Sequence, residues 1–285
     1  MSTSPLPQPI NPSWARVQLA RHPKRPHALD YIQRLFHNFH ELHGDRAFAD
    51  DHAIVAGMGW FGEGPDEKPV MVIAQEKGRD TKQKIFRNFG LARPEGYRKA
   101  IRLMQLAAKF NRPIITFLDT PGAWHGRDAE ERGQGEALAY NLREMSRLRV
   151  PVIVVVIGEG GSGGALALGV GNRVYMLENS VYSVITPESC AAIIYRDSGK
   201  APQAAASLKM TAPDLLEFGL IDGIVPEPGE GAHTNPENAA EALGVVLRQA
   251  LDELSAMSPQ ELIDDRYEKF RRMGSFFTTA PTEAL

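Results

Sequence analysis

Two apolar patterns alternate along this chain. Continuous apolar runs of six or seven residues, bounded by turn residues, mark strands buried on both faces; they lie near Ile54–Trp60, Val70–Gln75, Pro113–Leu118 and Pro151–Ile157. Elsewhere apolar residues recur at helical spacing. Leu29, Ile32, Leu35, Phe36 and Phe39 share one face of a helix expected over residues 28–43, and further helices are expected over 94–110 and 128–147. The polar loop Phe61–Lys68 joins the first two strands as a hairpin. Shorter strand-like runs follow at Arg173–Leu177, Val181–Ile185 and Leu220–Val225. Thr186-Pro187 opens a helix as N-cap and first helical residue, and Thr211-Ala-Pro-Asp214 and Ser258-Pro-Gln-Glu261 open two more as capping boxes. From Asn235 the chain is helical, with Leu243, Val246, Leu247 and Leu251 in a stripe that packs either on a partner or on its own domain. Strands alternating with helices make this an α/β protein around a mostly parallel sheet. The expected organisation is a lead-in over 1–25, one domain over 26–273 and a tail over 274–285. The domain divides into a core at about 50–230 and a helical part at 235–273. Trp14–Leu19 is a candidate docking helix inside the lead-in.

Bulk properties narrow the class. The chain has 285 residues, 43% hydrophobic and 24% charged, within the ordinary range for a soluble globular protein. A net charge of −3 argues against a general nucleic-acid binder. Cys190 is the single cysteine, so neither an internal disulfide nor a multi-cysteine zinc site is available. It reads as a small buried residue on a helix. No run reaches the roughly 20 apolar residues of a membrane span, and the polar, proline-rich start lacks a secretory signal. The expectation is a cytoplasmic protein.

The densest chemical signal is Gly158-Glu-Gly-Gly-Ser-Gly-Gly164, five glycines in seven residues after a buried strand. Such a junction brings bare backbone N–H groups to a ligand. The run also satisfies the dinucleotide fingerprint, with Glu178 at the acidic position. That fingerprint should open a full crossover helix, however, and here Gly169 and Gly171 interrupt the helix within about two turns. An oxyanion hole, a nucleotide site and plain tight packing all remain open.

Three other groups are candidates. Asp119-Thr-Pro-Gly-Ala123 ends a strand at the same edge of the sheet, either as an ordinary turn or as a rigid wall of a site. Glu130 and Glu131 are adjacent on a helix, about 100° apart, so one water is not addressed by both; negative charge in a first helical turn explains them better. Lys77, Arg79, Lys82, Lys84 and Arg87 form a basic cluster, suited to phosphates, to an acidic surface or simply to solvent.

Several segments together closely resemble one family. They include His43-Gly-Asp-Arg-Ala-Phe-Ala-Asp-Asp51, Lys77-Gly-Arg-Asp-Thr-Lys82, Arg87-Asn-Phe-Gly90 and Pro94-Glu-Gly-Tyr-Arg-Lys-Ala100. Asp119-Thr-Pro-Gly-Ala123, Glu130-Glu-Arg-Gly-Gln134, Asn141-Leu-Arg-Glu-Met-Ser-Arg147 and the glycine run complete the set. The family is that of the alpha subunits of bacterial acetyl-CoA carboxylase carboxyltransferases, and the resemblance is collinear from about residue 15 to 273. It implies a crotonase-like fold, a spiral of β-β-α units with oxyanion holes, carrying helical N- and C-terminal segments. It implies a half-enzyme that works with a zinc-ribbon beta subunit in an α2β2 assembly, with no metal in this chain. Together the two chains transfer a carboxyl group from carboxybiotin, on the biotin carboxyl carrier protein, to acetyl-CoA. The product is malonyl-CoA, for fatty-acid synthesis. Propionyl-CoA as the acceptor, or a non-catalytic CoA-binding subunit, are the alternatives.

The resemblance also implies roles. The backbone N–H groups of Gly163 and Gly164 hold the biotin ureido oxygen, while the partner's loop mainly holds the acetyl-CoA enolate. Gly160, Gly161, Pro121, Gly122 and Ala123 line the pocket, and Arg79 and Lys82 meet substrate. No side-chain general base is assigned. Trp124-His125-Gly126 stands where relatives tend to carry Tyr-Pro-Gly, and His125 is expected to be an exposed loop residue. The segment ahead of Trp14 is also shorter than in many relatives.

Overall fold

One mixed sheet of eight strands runs through the computed structural model, which describes residues 11–274. The strands are β1 (Phe36–Glu41), β2 (Ile54–Phe61), β3 (Lys68–Gln75), β4 (Ile114–Thr120), β5 (Val152–Gly161), β6 (Arg173–Leu177), β7 (Val181–Ser183) and β8 (Gly223–Val225). Their order is β1-β2-β3-β4-β5-β6-β8. The first two pairings are antiparallel and the rest parallel. The parallel ladder splits along β5. Ile153 to Val156 pair with β6, whereas Glu159 to Gly161 pair with β7. The glycine end of the central strand therefore keeps β4 on one side and exchanges β6 for β7 on the other.

The helices are α1 (Pro12–Ala20), α2 (Ala28–Leu35), α3 (Thr81–Phe86), α4 (Pro94–Lys109), α5 (Arg127–Glu131), α6 (Gln134–Met145), α7 (Ser162–Leu166), α8 (Pro187–Tyr195), α9 (Ala201–Leu208), α10 (Ala212–Glu217), α11 (Pro236–Ser255) and α12 (Pro259–Arg271). Val152, Val154 and Val156 face a core layer with Tyr97, Ile101 and Met104 of α4. Ile153, Val155 and Ile157 face the opposite layer, with Ile32 of α2 and Leu243, Leu247 and Leu251 of α11. Both faces of β5 are thus covered, which is why its sequence is apolar throughout instead of alternating. Each of those buried leucines contributes about 2 kcal/mol, so the α11 stripe is spent on its own domain.

Several expectations are revised. The helix expected over 28–43 stops at Leu35, and Phe36–Glu41 is an edge strand. Its pairing with β2 needs glycine in β2, since a Cβ on Gly57 would lie 2.2 Å from the His40 carbonyl oxygen. A register shift between His37 and His40, with Asn38 at φ 47°, completes the edge. The helix expected over 128–147 is two helices, broken where Gly133 takes φ 82°. α9 was not anticipated. The lead-in is shorter than expected, because Val17 and Ala20 of α1 pack against Val181, Ala205 and Met210. Residues 1–10 of the lead-in, and the tail beyond 274, lie outside the described residues. Cys190 is on α8 as expected but only half-buried. The caps at Thr186, Thr211 and Ser258 form as the sequence indicates.

Candidate functional site

Four of the five glycines in the run are there because the chain is packed against itself. A Cβ on Gly158 would lie 2.3 Å from Asp119 Oδ1, and one on Gly160 would lie 2.7 Å from the Tyr182 ring. On Gly161 it would meet the Pro121 carbonyl oxygen at 2.2 Å, and on Gly164 the Ala123 nitrogen at 2.3 Å. Gly163 differs, since its Cβ would meet only Leu138 Cδ1 at 3.5 Å. The strand ends at Gly161, and exposed Ser162 takes φ 51°, a left-handed conformation costly for a side-chain-bearing residue. Helix α7 then begins. Ser162, Gly163 and Gly164 form its first turn, whose N–H groups have no acceptor earlier in the helix. Ser162 and Gly163 border a cavity of about 300 Å³ walled by Leu166, Tyr182, Leu215 and Phe270. It is an apolar hollow with backbone donors at its rim.

The Asp119 turn supports the shelf from the other side. Thr120 pairs with Gly160, and Thr120 Oγ1 donates to the Gly122 carbonyl at 2.6 Å while accepting from its N–H at 3.1 Å. Pro121 and Ala123 are half-buried and Gly122 is buried, against Gly161 and Gly164. Behind the turn lies an ionic cluster that sequence reading missed. Asp119 Oδ1 accepts from the Glu159 N–H at 2.9 Å. Lys77 Nζ reaches Asp119 Oδ1 at 2.8 Å and Glu159 Oε2 at 2.6 Å. Arg21 Nε reaches Glu159 Oε1 at 2.6 Å. Burial pushes the Glu159 carboxyl up, but Lys77 and Arg21 outweigh it and hold the group down to about 2. The lone polar residue ending an apolar strand, Gln75, was also missed. It is fully buried, and its Nε2 donates to the Gly164 carbonyl at 2.8 Å.

The other candidates separate. Lys77 is consumed by the ionic cluster, Arg79 pairs with Asp30, and Arg87 donates to the His52 carbonyl at 2.8 Å. Lys82 is exposed, and among the described residues neither it nor Lys84 forms an ion pair. Arg79 and Lys84 border a second cleft of about 210 Å³, which reaches Pro121 but not Gly163. Trp124 is drawn toward α5 by its Nε1 donating to Asp128 Oδ1 at 2.8 Å, and Arg93 lies 5.6 Å from its ring centre. His125 is exposed. Glu130 and Glu131 are exposed, and Glu131 pairs with Arg127 at 2.7 Å. Among the described residues no group of three or more His, Cys, Asp or Glu is arranged to hold a metal, and no helix is long and apolar enough to cross a membrane.

The fold, with its parallel ladder dividing at a glycine shelf where a short helix opens, is shared with solved carboxyl-handling enzymes. Transcarboxylase 12S superposes with a TM-score of 0.64 at 18% identity, over 83% of this chain and 44% of that one. A Pseudomonas malonate decarboxylase hetero-dimer chain superposes at 0.61 and 19% identity, over 77% and 88%. The family model described as acetyl co-enzyme A carboxylase carboxyltransferase-like matches residues 10–274, and the chain belongs to that family. It is 56% identical over 265 residues to a protein of Oceanobacillus iheyensis named acetyl-coenzyme A carboxylase carboxyl transferase subunit alpha, covering 93% of this chain and 82% of the relative. A protein of the same name from Geobacter metallireducens is 59% identical over 263 residues, 92% of this chain and 81% of that relative.

Proposed function

We propose that this chain is the alpha half of a two-part carboxyltransferase, moving a carboxyl group from carboxybiotin on a carrier protein to acetyl-CoA and giving malonyl-CoA. The observation that carries the reading is the contrast at the shelf. Packing accounts for Gly158, Gly160, Gly161 and Gly164, whereas Gly163 has no steric reason to be glycine and sits at the rim of an apolar cavity.

A cyclic urea fused to an apolar ring suits such a hollow, with donors for its oxygen and hydrocarbon walls for the rest. The bound carboxybiotin supplies the activated carboxyl group. The Gly163 and Gly164 N–H groups hold the ureido oxygen, where negative charge grows as the carboxyl group departs. A preorganised donor of this kind is worth about 3 to 4 kcal/mol. Leu166, Tyr182, Leu215 and Phe270 keep water from the reacting group. Gly160, Gly161, Pro121, Gly122 and Ala123 set the shape of the shelf, as their mutual contacts support. The acetyl-CoA enolate oxygen is left to a loop of a zinc-ribbon beta chain, in an α2β2 assembly in the cytoplasm. Of the basic cluster, Lys82 and Lys84 are the charges left for the CoA phosphates, with Arg79 beside them.

The test is the reverse reaction, malonyl-CoA plus biocytin giving acetyl-CoA, for this chain alone and mixed with a beta chain. Activity is expected only in the mixture. Gly163→Pro deletes one N–H and should lower kcat about 10²- to 10³-fold; Tm is read beside it, because proline also disfavours the left-handed backbone of Ser162 before it. Turnover by this chain alone would overturn the half-enzyme reading. Lys82→Ala and Lys84→Ala should raise KM for malonyl-CoA, and an unchanged KM removes both lysines from the site.

A further inference from the structure

Helix α7 is five residues long, too short to hold its own direction in water. Its orientation comes from what grips it. Two fully buried side chains converge on one atom at its first turn. Gln75 Nε2, at the end of β3, and the Tyr97 hydroxyl, on α4, both donate to the Gly164 carbonyl oxygen, at 2.8 Å and 3.2 Å. The other end of the Gln75 amide accepts from the Asp119 N–H at 3.2 Å. One side chain at the end of β3 therefore ties the Asp119 turn, which ends the neighbouring β4, to the shelf that follows β5. At the far end of the helical turn, Thr116 Oγ1 donates to the Leu168 carbonyl at 2.9 Å.

We infer that Gln75 and Tyr97 are positioning residues for carboxyl transfer, fixing the direction of the α7 first turn by their joint grip on the Gly164 carbonyl. This rests on the reading of Gly163 and Gly164 as the donors. Stability calls for a donor on this buried backbone carbonyl, which a five-residue helix leaves unsatisfied, and here two side chains from different elements converge on it. The bonds add direction, and a misplacement of about 1 Å at a reacting centre costs on the order of a hundredfold in rate.

Three variants, measured in the reverse reaction with the beta chain present, test the inference. Tyr97→Phe removes one hydroxyl and keeps the ring. It should lower kcat about five- to tenfold, the scale of one net hydrogen bond, with KM for biocytin unchanged and Tm lowered by only a few degrees. Gln75→Leu breaks both ties and should cost more. Gln75→Glu keeps the acceptor for Asp119 but loses the donor once ionised. Its kcat relative to the parent enzyme should therefore recover as pH falls and the protonated acid donates to Gly164 again. Unchanged kcat in Tyr97→Phe and Gln75→Leu, with Gly163→Pro crippled, would sink the positioning role and leave the shelf reading intact. Full activity in Gly163→Pro as well would remove the shelf reading itself. Losses that follow Tm, with no recovery of Gln75→Glu at low pH, would make both residues merely structural.

Discussion

Adding one methyl group at Gly163 or at Gly164 is the same chemical change at neighbouring positions, and the two should behave oppositely. A Cβ on Gly164 would sit 2.3 Å from the Ala123 nitrogen, 2.4 Å from the Gly122 carbonyl carbon and 2.9 Å from its oxygen. Ordinary contact begins near 3.4 Å, so the turn must retreat by about an ångström. The obstructing atoms are backbone, and Thr120 holds that backbone by two hydrogen bonds of 2.6 Å and 3.1 Å. Overpacking of this kind costs about 1–3 kcal/mol. At about 2–4 °C per kcal/mol for a domain of this size, Gly164→Ala should lower Tm by roughly 2 to 12 °C. The same retreat displaces the donors, so kcat in the reverse reaction should fall on the order of a hundredfold. Gly163→Ala meets a single flexible methyl at 3.5 Å and keeps its N–H. Its Tm should hold or rise slightly, since alanine is favoured over glycine in a helix by about 0.5–1 kcal/mol. Any loss of activity should appear in KM for biocytin. Thermal melts of the two variants, with steady-state assays in the presence of the beta chain, decide the matter. Equal Tm values, or a more damaged Gly163→Ala, would refute the packing argument.

Two further predictions concern ion pairs of the N-terminal segment, one with Glu227 just after β8 and one with Glu159 near the end of β5. Arg25 is buried and donates to Glu227 at 2.6 Å and 3.0 Å and to the Ile157 carbonyl at 2.8 Å. Glu227→Gln leaves that charge without its counterion and should cost about 3–5 kcal/mol in urea unfolding; a loss below about 1 kcal/mol would contradict a tightly buried pair. Glu159 titrates near 2 in the folded protein against an ordinary 4.5, so as pH falls the unfolded chain takes up the proton first. Its stabilisation is complete above pH 4.5 and is lost between there and about 2. The urea midpoint of the parent protein should fall more steeply through that window than that of Glu159→Gln, and parallel curves would exclude the shift.

Much of this was legible in the chain because local physics decides it. Val152 to Ile157 has no polar position, which only a strand covered on both faces tolerates, and the caps at Thr186, Thr211 and Ser258 need only their own side chains and the next three residues. Collinear motifs carried the family. What was misread depends on partners distant in the chain. Phe36–Glu41 has apolar residues at helical spacing, yet it is a strand because Gly57 lets it approach β2. Likewise α1 belongs to the folded body only because Val181, Ala205 and Met210 receive it.

The site divides the same way. The glycine run marks by itself where a backbone is exposed to close approach, but it does not say to what. Only the folded chain separates Gly164, pressed against Ala123, from Gly163, open at a cavity rim. The basic residues from Lys77 to Arg87 look alike in sequence. Tertiary neighbours assign Lys77 to Asp119 and Glu159 and leave Lys82 in solvent. Gln75 carries no motif, because its role lies in joining two turns that sequence places 44 and 89 residues away. Composition and periodicity determine which segments are buried. Steric fit and charge pairing between distant segments determine which backbone groups remain free to act.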